Sequence, residues 1–465
     1  MFYHLRREPG FYRRLLYLAL PLILQNLITT SLGFVDTFMV GLLGDYELSA
    51  VTAANAPIYL IQVIIFGLMS GLTVLASQFW GKQDLASINR CMGFAMYAGL
   101  LISSLAALVL FCFPHQVLFL VTDNTALVEM GAPYLKIVGL SYIFNSVSSV
   151  YVGMQRSAEN PSLGMKVFAC SMLLNTFLNY CLIFGNFGAP ALGITGAALA
   201  TLASRVVEFL IVVLYALACR RIPLMPKLLF RPGRDTARSF LHYATPVLIN
   251  ESMWGLGTTM MTAILGHMAA SADMLAAYTI MGNIDKFTTV SCFGLAGAAA
   301  VILGKAIGEG TSKDRVYSLG WCLLLVSLLL GGALAVCLAL ALPLVFIPYL
   351  YPLFSLSELA TEAAVTLCVV YLVLLPLKSF DITNMTGVLR AGGDVRAATL
   401  IDLGPLWLVA VPLAAVTALV LNAPLPLICL GIYSENIVKT PLGIWRLRSR
   451  KWINDVTRDG KRRKP

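Results

Sequence analysis

The chain has 465 residues, 58% of them hydrophobic and only 12% charged, and its mean hydropathy is +0.82. One water-soluble core cannot enclose that much apolar surface, which excludes an ordinary soluble enzyme or binding domain and makes a bilayer the solvent of the fold. The net charge of +10 does not point to nucleic acid, because the cations fall between apolar stretches rather than on one soluble face.

A helix crossing about 30 Å of hydrocarbon needs about 20 mainly apolar residues. Taken in chain order, such segments lie near 14–40, 50–80, 91–114, 131–155, 163–185, 193–219, 239–267, 275–304, 317–347, 362–389, 397–420 and 424–445. An all-α integral membrane protein with twelve transmembrane helices is therefore expected. The first stretch follows Arg6, Arg7, Arg13 and Arg14 but is too long for a signal peptide and lacks a clear cleavage site, so it reads as a retained helix. Pro21, Pro57, Gly67, Gly71 and Pro246 interrupt these helices, as a packed bundle tolerates.

Charge gives the orientation. The turns at 81–90, 156–166 and 220–238 carry Lys82 and Arg90, Arg156 and Lys166, and Arg220, Arg221, Lys227, Arg231, Arg234 and Arg238; the same side continues with Lys305, Lys313, Arg315, Arg390 and Arg396. The intervening turns 41–49, 115–130, 186–192, 268–274, 348–361 and 421–423 contain no Lys or Arg. Both termini are thus expected in the cytoplasm and the chain in the cell inner (plasma) membrane. The ten cysteines are scattered singly with no CxxC pair, which fits reduced packing residues.

The chain reads as a duplication. Pro21, Thr37 and Gly41 recur as Pro246, Thr262 and Gly266, and Phe66-Gly67-Leu68 recurs as Phe293-Gly294-Leu295. Gly153 and Arg156 match Gly387 and Arg390. Six spans per repeat give an N-terminal lobe over 1–219, a basic cytoplasmic linker over 220–238, a C-terminal lobe over 239–445 and a basic tail over 446–465. With an even number of spans, two six-helix lobes are expected about a pseudo-twofold axis along the membrane normal, framing a shared cavity.

Several motifs resemble the multidrug and toxic compound extrusion (MATE) family of the multidrug/oligosaccharidyl-lipid/polysaccharide flippase superfamily. They are Pro21 leading to Val35-Asp36-Thr37-Phe38-Met39-Val40-Gly41, the run from Asn175 through Asn179-Tyr180 to Gly185, the run Gly193 to Thr201 with Gly196, and Gly387-Val388-Leu389-Arg390-Ala391-Gly392-Gly393-Asp394. The likeness covers roughly the whole chain. It implies a secondary active transporter, not an enzyme, that exports amphipathic, often cationic organic compounds by antiport with protons or sodium through alternating access. It implies no cofactor beyond the transported H+ or Na+ and no metal beyond sodium at the coupling site. The expected partners are a small-molecule substrate and membrane lipids; a monomer is expected.

Asp36 lies deep in the first span, where a lone carboxylate costs about 2.5–3.5 kcal/mol on insertion scales, so it marks function by default. A proton, a sodium ion and a cationic drug can compete for such a group. By resemblance Asp36 is the first-lobe coupling acid, with Asn175, Asn179, Thr201 and Tyr134 as polar companions. Asn175 and Asn179 are spaced i,i+4 and share one helix face. Asn179 stands where archaeal-type proton-coupled members carry a second carboxylate, so a two-acid relay is not expected in this lobe.

The second lobe offers Glu251, Asp285 with Lys286, and Lys378 with Asp381. Glu251 and Asp381 resemble the acidic site of the sodium-coupled branch, each displaced by part of a turn. Lys378 and Asp381, at i,i+3, and Arg205 and Glu208 can also be read as self-neutralising helix-face pairs. Glu251 has no base nearby in sequence and needs a tertiary partner, a proton or a cation. Gly153-x-x-Arg156 and Gly387-x-x-Arg390 read as helix ends at lipid phosphate, Asp402 and Glu435 as helix-end charges, and Met253, Trp254, Met260, Met261 and Met281 as packing or an adaptable ligand wall. The tail from Trp445 reads as solvated.

A flippase for lipid-linked or other amphiphilic substrates from the same superfamily is the alternative; it would want a basic cavity, whereas the intramembrane set here is mainly acidic. The sequence has no HExxH or GxSxG, and His4, His115, His242 and His267 are far apart, so a membrane-embedded enzyme is disfavoured.

Overall fold

A computed structural model describes residues 9–268, 271–351, 357–421 and 423–458. Residues 352–356 of the expected outer turn and the tail beyond 458 lie outside the described residues. The described chain is built from α1 (Pro9–Gly41), α2 (Asp45–Gly81), α3 (Leu85–Cys112), α4 (Pro114–Phe119), α5 (Thr125–Ser157), α6 (Ser162–Phe184), α7 (Gly193–Ala218), α8 (Pro226–Phe230), α9 (Arg234–Gly266) and α10 (Ser271–Gly308). Four more follow: α11 (Lys313–Tyr349), α12 (Glu358–Leu389), α13 (Val395–Val420) and α14 (Leu425–Arg448).

Each of the twelve segments expected from hydropathy lies along one of the long helices, within a few residues at the ends. Ten are long and apolar enough to cross a membrane by composition. The other two, α9 and α14, are less apolar: α9 holds Glu251 among polar residues such as His242, Asn250, Thr258 and Thr259, and α14 carries Glu435, Lys439, Arg446 and Arg448. Large side chains such as Phe38, Leu173, Leu214 and Leu408 stand exposed around the helices, the surface that lipid tails solvate.

Polar caps set the turns. Asp84 accepts from the Ser87 amide at the start of α3 (2.9 Å), Asn124 caps α5 and Ser357 caps α12. Within α11 and α13 the hydrogen-bond ladder widens to π-type turns over Leu342–Leu350, Leu406–Ala410 and Val416–Val420, where Pro343, Pro348, Pro405 and Pro412 supply no amide. A further wide stretch, Thr383–Leu389, ends α12.

By compactness the chain divides into two units, one made of the chain through Ile23 with Ile249–Val456, the other of Leu24–Leu248 with Thr457 onward. This differs from the division by sequence at 220–238, because α1 and α9 each contribute to both units. The two cuts are one repeat apart, 248 − 23 = 225, the same offset as Pro21 to Pro246.

Within each unit one helix is central. In the second unit α5 packs on α2, α3 and α7, while α6 packs on α7; in the first unit α12 packs on α10, α11 and α14, while α13 packs on α14. The same pattern thus occurs in both sequence repeats. Repeat-related glycines also stand at equivalent contacts, of α2 with α9 and of α10 with α1. A Cβ on Gly67 would stand 2.8 Å from Leu248 Cγ, and one on Gly294 would stand 2.8 Å from the Ile23 amide nitrogen. These close approaches, to a side chain at Gly67 and to backbone at Gly294, are the intramembrane use of small residues.

The C-terminal segment departs from expectation. Trp452 is fully buried among Val316, Val388 and Leu447 and donates from Nε1 to Leu447 O (3.1 Å). The Asn454 amide donates to Gly392 O (2.9 Å), and Arg446 grips Asp394 through two bonds of 2.6 and 3.0 Å. The segment after Trp445 therefore packs on the protein through Val456 rather than lying in solvent, because an indole in this position buries more apolar surface than headgroup contact would.

Candidate functional site

In the second unit, α1, α6 and α7 bring four of the expected residues together. Asn179 Nδ2 donates to Asp36 Oδ1 at 2.6 Å and to Asn175 Oδ1 at 3.0 Å. Asn175 Nδ2 in turn faces Thr201 Oγ1 at 3.4 Å and Ser204 Oγ at 3.5 Å. Both asparagines are buried, as their i,i+4 spacing on α6 allows. Tyr134 on α5 donates instead to Asn55 Oδ1 of α2 (3.3 Å), within electrostatic reach of Asp36.

No ion pair holds Asp36 among the described residues. Arg205 acts on it electrostatically, but its guanidinium is taken by the wholly buried Glu208 at 2.6 Å, with Asn145 Nδ2 on the other carboxylate oxygen at 3.5 Å. The expected Arg205–Glu208 pair thus forms. Asp36 is left with an amide donor, and Asn179 Oδ1 is buried with no partner.

The first unit arranges its charges differently from the local pairings that spacing suggests. Lys378 does not turn along α12 to Asp381 but reaches Asp285 of α10 at 2.5 Å, with the ammonium 5.2 Å from the Tyr371 ring centre. Lys286 is exposed. Glu251 has a tertiary base, the buried Arg390, at 3.1 Å. Arg390 is therefore an internal cation and not a helix-end contact to lipid phosphate. Its repeat mate Arg156 is half-buried and donates from Nη2 to Thr73 Oγ1 at 3.4 Å.

Asp402 and Glu435 are likewise drawn inward. Lys439 bridges them at 2.8 and 3.5 Å, and Asn250 Nδ2 donates to Asp402 at 2.8 Å. Sequence reasoning missed Lys439 as a site residue, although its i,i+4 spacing from Glu435 was a readable signal.

Asp381 sits beside this cluster with a different fate. Thr440 Oγ1 donates to Oδ2 at 2.8 Å, while Oδ1 is buried and unpartnered. Lys439, Asp402 and Glu435 all act on it electrostatically, yet among the described residues no base forms an ion pair with it. The neighbouring Asn384 is wholly buried with both amide atoms unpartnered, at the wide turn ending α12, and π-type turns are frequent at functional sites. Of the methionines expected as packing or a ligand wall, Met261 and Met281 pack in the core, while Met260 is exposed.

Two blocks of the chain, residues 21–181 and 246–416, match the family model MatE. Together they cover well over half of the sequence, and they begin at the repeat prolines Pro21 and Pro246. The chain belongs to the MATE family. Among curated relatives of this MATE chain, a probable multidrug resistance protein NorM of Thermotoga maritima is 26% identical over 461 residues, covering 96% of this chain and 94% of the relative. The multidrug resistance protein PmpM of Pseudomonas aeruginosa is 24% identical, over 86% and 82% of the two chains. A solved MATE family transporter described as outward-facing and of the MOP superfamily superposes with a TM-score of 0.85 at 18% identity, over 97% of this chain and 98% of that one. This likeness shows the fold; the MATE carboxylates described above come from this chain's own geometry.

Proposed function

We propose that the protein exports amphipathic, often cationic organic compounds in exchange for protons or sodium by alternating access, from an inner membrane with both its termini in the cytoplasm. The multidrug relatives support the substrate class. The observation that carries the coupling is that, among the described residues, each unit holds one intramembrane carboxylate without an ion-paired base: Asp36, hydrogen-bonded by Asn179, and Asp381, with one oxygen unpartnered.

A carboxylate kept out of water and off any fixed cation has three ways to settle its charge: a proton, a small cation or a cationic substrate. If coupling ion and substrate favour opposite states of the transporter, each lowers the other's affinity by the same factor. That reciprocity is exchange. Glu251, Asp285, Asp402 and Glu435 are less suited to this work, because Arg390, Lys378 and Lys439 already face them.

Proteoliposomes loaded with a cationic dye, with proton and sodium gradients imposed separately, test the reading. Wild type should move dye only with an inward gradient of at least one ion, and Asp36→Asn should lose most of that movement at unchanged membrane abundance. Dye movement independent of both gradients, or wild-type movement by Asp36→Asn, would overturn it.

A further inference from the structure

The short helix α8 lies across α3 within the second unit. Its placement is specific: the Met225 amide donates to Asn89 Oδ1 (3.0 Å), Asn89 Nδ2 donates to Pro223 O (3.2 Å), and Tyr97 OH donates to Phe230 O (3.4 Å). A Cβ on Gly93 would stand 2.9 Å from the Leu229 carbonyl carbon, so only glycine lets α8 settle this close. Beneath α8, between α3, α5 and α7, runs a part-open groove of about 470 Å³ lined by Met96, Leu100, Phe144, Phe209, Leu217 and Leu229 among others.

The groove has almost no polar lining. Its one hydroxyl, Tyr151 OH, accepts from Gln155 Nε2 at 2.9 Å. The chain around it is the reverse: from Cys219 to Arg234 there are five bases, Arg220, Arg221, Lys227, Arg231 and Arg234, and no acid. All five are exposed, and among the described residues none forms an ion pair; Arg221 lies over the Trp80 ring at 5.3 Å.

We propose that this groove seats an acyl chain of an anionic phospholipid whose phosphate is held by the basic segment 220–231, so that the protein carries a built lipid site apart from its carboxylates. The two features have complementary chemistry. An apolar slot with no acid, whose one hydroxyl is already engaged by Gln155, cannot hold a cationic compound against four or five nearby cations, whereas a chain with an anionic head satisfies both at once. The site ties the surrounding lipid to α8, and through Asn89, Gly93 and Tyr97 to α3.

The test uses the full chain in lipid nanodiscs with Leu217→Trp as a reporter in the groove. Quenching by phosphatidylglycerol brominated mid-chain is compared with quenching by brominated phosphatidylcholine. The anionic lipid should quench with an apparent affinity at least about fivefold higher. Replacing Arg220, Arg221, Lys227 and Arg231 together by Gln, all exposed positions, should bring the two lipids to within about twofold. Equal quenching by both lipids in the parent would overturn the site. So would displacement of the brominated lipid by inorganic phosphate or glycerophosphate, which would mean a phosphate site without a chain. Quenching by a brominated cationic detergent as strong as that by phosphatidylglycerol would also overturn it, because the groove would then be a general amphiphile seat.

Discussion

Buried acids in this protein differ in what faces them. Glu251, itself part-exposed, pairs with the buried Arg390, and removing one member of a buried pair costs about 3–5 kcal/mol because the other is left uncompensated, while replacing both is often close to neutral. Arg390→Met should therefore lower the unfolding temperature in detergent sharply, and adding Glu251→Met should recover more than half of the loss. Additive losses in the double variant would mean that the two side chains are not coupled in the folded protein. Asp36 was legible as a lone carboxylate deep in a span and the shared face of Asn175 and Asn179 from their i,i+4 spacing, whereas Thr201 was reached only through the family resemblance. The partner choices of Lys378, Arg390 and Lys439 were not, since each reaches another helix: Lys378 passes over Asp381, three residues away, to take Asp285.

Helical periods and charge-free lengths made the spanning helices readable, and α9 and α14 could be found despite their charges because their apolar stretches continue the twelve-span rhythm. What hydropathy does not show is a short amphipathic return of the chain. The segment after α14 carries Arg450 and Lys451 and looks solvent-seeking, yet Trp452 directly after them is buried beside Gly320 and Gly392. A Cβ on Gly392 would stand 2.5 Å from Trp452 Cε3, so the pocket is shaped to the indole. Trp452→Ala should cost about 3–5 kcal/mol, the usual range for a buried tryptophan, read as a loss of thermal stability of the purified protein. A change within about 0.5 kcal/mol, the range of surface substitutions, would mean that the segment only rests on the helices.

At the scale of the whole molecule the repeat divides α1 and α9 at points one repeat apart, while the two acids that have no ion-paired base among the described residues, Asp36 on α1 and Asp381 on α12, stand at positions the repeat does not relate. The asymmetric distribution of Lys and Arg makes a first prediction: reporters fused after Arg238 and at the C-terminus should read cytoplasmic, and one in the 348–361 turn should read external, with a reversed pattern refuting the orientation. The second concerns coupling. If Asp36 and Asp381 both answer to the coupling ion, substrate affinity should weaken as that ion rises, and each acid should account for part of the dependence. Asp381→Asn keeps the Thr440 hydrogen bond and the volume but removes the charge, so substrate binding in detergent, measured across sodium concentration and pH, should become less steep without being abolished. Glu251→Gln, which alters a pair already neutral, should leave the steepness as in wild type even where it lowers stability. Adding Asp36→Asn to Asp381→Asn should flatten the dependence altogether. A profile for Asp381→Asn superimposable on wild type, with Glu251→Gln flattened instead, would move the second coupling site from the unpaired acid to the paired one.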